Sequence, residues 1–248
     1  MNIPTFETQP KEIRLYLDLP LSVGMVLEPD GAQAHYLLNV MRRREGDRIA
    51  IFNGVDGEWH GRIELVGRRR LRLMIEDQVR QQREEPGPIL LFAPLKRTRQ
   101  EFLIEKATEL GVARLAPVLS HRSVVDRINR TRLITIAIEA AEQCGRLTVP
   151  EFDLPMPLME RLESWPDDRR LFYGDPTSDL PVLEALDEHG LGDFLIGPEG
   201  GFDQEELEEL HSRKELMAVN LGPRILRAET AALAALACWQ AVAAEIAD

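Results

Sequence analysis

Two rhythms divide the chain. From Arg14 to about Asp77 the apolar positions alternate in short runs: Arg14-Leu15-Tyr16-Leu17, Arg48–Phe52, Glu58–Ile63 and Leu71–Ile75. Period-two alternation of this kind predicts half-buried β-strands. Asn53-Gly54 and Asp56-Gly57 lie between two of these runs and supply the positive-φ residues that tight turns need. One helical pattern, about Gln33 to Arg42, interrupts the strands. Several short strands with regular turns predict a small β-barrel domain over residues 1–77. Gln78 to Pro88 has no apolar period and ends in Pro-Gly-Pro, the composition of a linker.

Beyond the linker, over residues 89–248, strands and helices take turns. Ile89–Ala93 is a continuous apolar run of the kind buried in parallel sheets. A helix follows, with Thr98 and Glu101 spaced as a capping box and Gly111 placed as its C-terminal stop. Next come a strand at Leu115–Leu119, a helix from about Asn129 to Cys144 stopped by Gly145, and a strand at Arg170–Tyr173. A helix near Leu180–Glu188, a strand at Phe194–Ile196 and a helix opened by Asp203 with Glu206 continue the series. The strand Met217–Leu221 and an Ala-rich helix from about Ala228 to Ile246 close it. The fold class expected is α/β, a parallel sheet with helices on both faces, preceded by the small β domain.

Composition narrows the setting. Hydrophobic residues make up 44% of the chain and charged residues 29%, ordinary values for a globular protein. No apolar run approaches the eighteen or so residues that span a bilayer, and Met1–Pro20 carries no basic stretch followed by an apolar core. Cys144 and Cys238 stand far apart in helical patterns and read as reduced thiols, which together points to the cytoplasm and no membrane. His35, His60, His121, His189 and His211 are scattered without metal-ligand spacing, so no metal is expected. The net charge of −12 is unevenly spread. Residues 1–77 hold 11 Lys and Arg against 12 Asp and Glu, whereas residues 78–248 hold 19 against 30. Within the first segment Arg42-Arg43-Arg44 and Arg68-Arg69-Arg70 are clustered, and local clusters set attraction to phosphates.

Two loops carry the candidate chemistry. Ile196, Gly197, Pro198, Glu199, Gly200, Gly201 and Phe202 run directly from a strand to a capped helix. Leu221, Gly222, Pro223, Arg224, Ile225, Leu226 and Arg227 lead from the next strand to Ala228, Glu229 and Thr230 at the start of the last helix. Glycines let a backbone approach a ligand, and in open α/β sheets ligands settle beyond the carboxyl ends of the strands. Neither loop fits the Walker A pattern or the dinucleotide fingerprint. No nucleophile elbow appears, so acyl-transfer chemistry is unsupported.

These paired loops resemble the signature of the small-subunit ribosomal RNA uridine-N3 methyltransferases, which belong to the SPOUT or α/β-knot superfamily. Phe92–Lys96, Glu105–Gly111 and Glu139–Arg146 are similar to that family as well. So are His35–Arg42 and Gly46-Asp47 through Gly54, which resemble its PUA-like RNA-binding domain; Met41 stands where the family more often has Leu. The resemblance implies a trefoil-knotted chain end, a homodimer with its active site near the subunit interface, and S-adenosylmethionine as cofactor. It places the cofactor at Ile196, Gly197, Pro198, Glu199, Gly200, Gly201, Leu221, Gly222, Ile225, Leu226 and Thr230. With the arginine clusters, it implies contacts to small-subunit ribosomal RNA at Arg14, Arg42, Arg43, Arg44, Lys96, Arg146 and Arg224. The implied target is a uridine near the decoding region of an assembled particle.

Methylating uridine N3 requires an unpaired base and the loss of its proton, with negative charge building on O2 and O4. An arginine beside those oxygens would stabilise that charge. Arg227 is the leading candidate, with Glu229 beside it; equally, Arg227 pairs with Glu229, or Glu229 complements the helix dipole. The proton acceptor is open among Glu139, Glu142 and Glu199. Two alternatives stand: methylation of another RNA or of a ribose 2′-oxygen, and a non-catalytic RNA-binding assembly factor.

Overall fold

In the computed structural model residues 12–67, 70–125 and 127–247 are described. They form two compact units. One comprises residues up to Glu85 together with Ala141–Val149, and the other Pro86–Ala140 with the chain from Pro150 onward. Arg68 and Arg69 of the second arginine cluster lie outside the described residues.

The first unit is built on a five-stranded sheet. Its strands are β1 (Arg14–Tyr16), β2 (Val26–Leu27), β3 (Arg48–Phe52), β4 (Glu58–Leu65) and β5 (Leu71–Arg80), in the order β1-β3-β4-β5-β2. β1 runs parallel to β3 and the other neighbours are antiparallel. Among the described residues the two edge strands are not hydrogen-bonded to each other, so the expected barrel is not closed by pairing. The alternation foreseen in the strands delivers the core, with Leu15, Ile49, Ile51, Ile63, Leu73 and Ile75 all buried on one side. Helix α1 (Gly31–His35) opens with a capping box between Asp30 and Gln33 and continues as a π-helical turn over Tyr36–Val40. That segment ends in Arg42, whose φ of +53 is a left-handed conformation unusual for a non-glycine residue.

Two sequence expectations change here. β5 extends to Arg80, so the polar segment 78–88 is a strand end before it is a linker. Its Arg80 and the buried Glu58 of β4 form an ion pair at 2.6 Å. The segment Ala141–Val149 belongs to this unit and not to the second, because arginines of the first strands hold it. Arg14 donates to the carbonyls of Ala141 at 2.6 Å, Glu142 at 3.1 Å and Arg146 at 2.5 Å, and Arg80 donates to that of Gly145 at 2.9 Å. Glu85 accepts from Thr148 Oγ1 at 2.7 Å and from the amides of Leu147 and Thr148.

The second unit is an all-parallel sheet. Its strands are β6 (Ile89–Phe92), β7 (Arg114–Leu119), β8 (Glu151–Phe152), β9 (Met156–Pro157), β10 (Leu171–Gly174), β11 (Asp193–Ile196) and β12 (Leu216–Val219). The order is β12-β10-β11-β6-β7-β8, with β9 also pairing β7. The helices are α2 (Arg97–Glu109), α3 (Arg130–Cys144, in this unit as far as Ala140), α4 (Leu158–Glu163), α5 (Val182–His189), α6 (Gln204–Ser212) and α7 (Ala228–Ala247). The central strands are apolar at nearly every position because both faces are covered. Leu91, Leu195, Leu171 and Tyr173 pack on one side with Leu158 and Leu162 of α4 and Leu210 of α6. α7 packs against α2, α5 and β11.

The Asp203–Glu206 capping box of α6 forms as expected. The one expected for α2 does not: that helix opens at Arg97 with Lys96 as a cap whose side chain makes no capping bond. Glu101 instead meets Arg97 at 3.0 Å and Arg132 at 3.7 Å, a stronger charge-assisted alternative to a backbone amide. The two-residue strands β2, β8 and β9 and the short α4 escape the sequence reading, since no period shows in so few residues.

Candidate functional site

The carboxyl ends of β10, β11 and β12 open into a cavity of about 170 Å³. Ile196, Gly197, Pro198, Glu199 and Gly201 line it from the first glycine loop. Leu221, Gly222, Arg224, Ile225 and Leu226 line it from the second. Of the cofactor positions expected from sequence, Gly200 and Thr230 stand outside this lining. The structure adds a third wall, Gly174-Asp175-Pro176 after β10, together with Phe202, Val219, Ala228 and Ala231.

Local chemistry fixes the three walls to one another. Asp175 donates its amide to the carbonyl of Val219 at 3.0 Å, and Asn220 donates its side-chain amide to the carbonyl of Ser178 at 3.0 Å. Asn220 also accepts from the amide of Gly222 at 2.7 Å, which sets the start of the second loop. In the first loop a Cβ on Gly197 would lie 2.8 Å from the Phe202 ring, so only glycine lets that ring pack into the core. Phe202 stands edge-on to Tyr173, whose hydroxyl is pushed up to about 12 by burial and by the Asp175 carboxylate.

The first loop is anchored from outside the sheet as well. Arg99 of α2 forms an ion pair with Glu199, and Arg122 donates to the carbonyl of Gly200 at 2.9 Å. His121 bonds Asp203 at 2.5 Å and donates its amide to Glu206 at 2.8 Å. The hydrogen bond that His121 donates to the Asp203 carboxylate raises the His121 pKa above its ordinary value. Asp203 in turn is held below the usual carboxylate range, first by the Glu206 amide and then by His121. Nothing in the sequence spacing marked His121 or Arg99, because their partners lie 82 and 100 residues away. His121, Asp203 and Glu206 present ligand atoms within 4.8 Å of one another. Glu206 already accepts backbone amides at both oxygens and Asp203 caps α6, so hydrogen bonds account for that group.

The remaining expected residues separate into three kinds. Arg227 is exposed and caps α7 through its carbonyl, which accepts from Ala231 at 2.8 Å. Glu229 is buried in the first turn, its Oε2 accepts no hydrogen bond, and the cation 3.9 Å away is Arg99 and not Arg227. Lys96, Arg42, Arg44 and Arg224 are exposed, and Arg43 is half-buried with Asp47 at 3.9 Å. Arg14 and Arg146, expected to face RNA, are engaged within the first unit, Arg14 half-buried and Arg146 buried. Arg14 lies over the Phe52 ring at 4.2 Å and pairs with Glu58 at 2.5 Å. Burial opposes the charge on Glu58, but hydrogen bonds from Arg80 and Arg14 outweigh it and hold the carboxyl below its ordinary range. Burial likewise lowers the Arg146 guanidinium, against the pull of Glu85. Of the three possible proton acceptors, Glu142 accepts the Tyr16 amide at 2.9 Å, Glu199 pairs with Arg99, and Glu139 is exposed.

Comparison with known proteins gives a consistent result. Residues 83–240 match the family described as RNA methyltransferase domain, and residues 29–76 match the RNA methyltransferase PUA domain. The ribosomal RNA small subunit methyltransferase E of Rickettsia conorii is 30% identical over 230 residues, covering 90% of this chain and 93% of the relative. That of Bacillus subtilis is 31% identical over 222 residues, covering 83% and 86%. The crystal structure of the Neisseria gonorrhoeae enzyme of the same name, bound to S-adenosyl methionine, superimposes with a TM-score of 0.83. It is 31% identical and covers 93% of this chain and 98% of its own.

Proposed function

The chain belongs to the ribosomal RNA small subunit methyltransferase E family, and from that premise we propose that it methylates N3 of a uridine near the decoding region of the assembled small subunit. Methylation of small-subunit ribosomal RNA with S-adenosylmethionine is the activity of the family. The observation that carries the reading is the cavity itself, where both glycine loops and the loop after β10 converge at the strand ends.

The residues present fit that cofactor. Val219, Leu221, Leu226 and Ile196 offer an apolar wall for an adenine, and the loop backbones offer amides and carbonyls for its edge. Asp175 and Glu199 set two carboxylates beside a ligand that carries a sulfonium and an ammonium charge. When bound, the cofactor supplies an electrophilic methyl group. Arg224 at the cavity rim and Arg227 at the start of α7 would stabilise negative charge on the uridine oxygens as N3 loses its proton. Glu229, buried 3.9 Å from Arg99, serves that site by setting a carboxylate at the positive end of the α7 dipole. We also assign the chain a homodimeric state, a threaded chain end at α7 and a cytoplasmic location. No described helix is long and apolar enough to cross a membrane, which accords with the last of these.

Nucleoside mass spectrometry of ribosomal RNA from a deletion strain tests the reading. N3-methyluridine is expected to disappear and to return with the wild-type chain but not with Arg227→Ala. Persistence of N3-methyluridine in the deletion strain would overturn the N3 assignment. Calorimetry that detects no S-adenosylmethionine binding would overturn the enzyme reading as a whole.

A further inference from the structure

The cavity at the strand ends is linked through shared wall residues to two further hollows. Pro198 and Glu199 of its wall also border a small recess with Lys96, Arg99 and Val125. Leu95 and Val125 are then shared with a third hollow of about 330 Å³, where the first turns of α2 and α3 meet. Three guanidiniums line that hollow, those of Arg97, Arg127 and Arg132, against a single carboxylate, Glu101. Glu101 bridges Arg97 at 3.0 Å and Arg132 at 3.7 Å, so it sets the position of two of them without cancelling the charge of all three. Those arginines hold its carboxyl below the ordinary range, the hydrogen bond from Arg97 most of all.

The backbone reinforces the sign. α2 has no side-chain cap, and neither α2 nor α3 carries an acidic residue in its first turn. Their N-terminal dipole ends therefore add positive potential to the hollow. α6 is the contrast, with Asp203 as its cap and Glu205 and Glu206 in its first turn. Residues 78–248 carry 19 basic against 30 acidic groups, yet the hollow and recess together present five cations to two carboxylates. A cationic island on an anionic domain, linked to the cofactor cavity through shared wall residues, suits a polyanion that reaches that cavity. Arginine forks match phosphate oxygens in pairs. Arg130 stands apart from the island, since its guanidinium donates to the carbonyl of Phe152 at 2.7 Å.

We propose that this basic hollow holds the sugar-phosphate backbone of the RNA strand beside the target nucleotide, so that the second unit grips its substrate directly. The proposal rests on the function given above. It assigns Arg97, Arg127 and Arg132 to the phosphates flanking the reactive base, with Lys96 and Arg99 between them and the cofactor cavity.

The test is filter binding of a protein-free small-subunit rRNA fragment across a salt series, with calorimetry for S-adenosylmethionine alongside. The triple variant Arg97→Gln/Arg127→Gln/Arg132→Gln is expected to bind the fragment at least tenfold more weakly. Its log–log salt slope should be shallower by about two, at roughly 0.7 for each phosphate no longer neutralised. Cofactor affinity should stay at the wild-type value. Arg127→Glu alters one exposed loop residue, and is expected to lose affinity in the same direction should the triple variant fold poorly. Unchanged RNA affinity and slope in Arg127→Glu would overturn the proposal. So would a loss of affinity for the assembled particle with no change in its salt slope, which would assign the hollow to a ribosomal protein. Filter binding needs no methyl transfer, so a wild-type chain that binds RNA but leaves no N3-methyluridine would refute the proposed product and leave this grip standing.

Discussion

The two glycine loops look alike in sequence and differ in how they are held. The loop after β11 is fastened at every step, by Arg99 to Glu199, Arg122 to the Gly200 carbonyl, the buried Phe202 ring, and His121 to Asp203. The loop after β12 is fastened at its ends, by Asn220 and by the Arg227 carbonyl, and between them Ile225 stands 90% exposed. One loop is a prebuilt wall, and the other presents apolar surface that gains a partner only when something covers it. Most of the recognition energy of a rigid wall is available without ordering cost, whereas an exposed loop must be ordered as it binds.

Four perturbations would break or sharpen that contrast. The largest effect is expected from Gly197→Val in the held loop, which drives a side chain into the Phe202 ring. It should cost about 1–3 kcal/mol of stability and abolish measurable cofactor binding, read by thermal melting and calorimetry. Arg99→Met comes next. It frees Glu199 and leaves the buried Glu229 without its cation, for about 2 kcal/mol and roughly a tenfold loss of cofactor affinity. Retention of wild-type melting in Arg99→Met would show that the first loop does not depend on α2. In the exposed loop, Ile225→Ser should leave stability within about 0.5 kcal/mol while weakening the cofactor about fivefold. A drop in melting temperature there would mean the second loop is already packed.

The smallest effect is a pH dependence of the held loop. The His121 pKa is raised, so its contribution is full below the ordinary histidine value of about 6.5 and is lost as pH rises through the raised value. The Asp203 pKa is lowered, so its contribution is present above the ordinary value of about 3.9 and is lost as pH falls through the lowered one. Amide protection factors over residues 200–206, the exchange rates corrected for their intrinsic pH dependence, should therefore be highest between those limits. His121→Ala should flatten the alkaline side, and an unchanged profile would show that the pair does not steady the loop.

How much of this was legible follows from the range of each interaction. The parallel sheet and both glycine loops were readable because continuous apolar strands and Gly-Pro turns are local signals. Gly174-Asp175-Pro176 was not, since taken alone it reads as an ordinary turn, and only the pairing of β10 with β11 and β12 brings it to the site. The internal partners of Arg14 and Arg146 were not legible for a related reason. An arginine in a polar context reads as surface, and Arg14 is half-buried because carbonyls some 127 to 132 residues away receive its guanidinium. Thr98–Glu101 had the spacing of a cap, but Arg97 and Arg132 offered Glu101 a full positive charge.

That long reach of Arg14 bears on how the chain is made. The first unit lacks its closing segment until Val149 has been synthesised, 64 residues after Glu85. At ribosomal speeds of about 5–20 residues per second, its strands would wait roughly 3–13 seconds for that segment. During that interval the Arg14 and Arg80 guanidiniums share Glu58 with no carbonyls from the later segment to bind. A nascent chain released at residue 85 is then expected to be more open to protease than one released at residue 149.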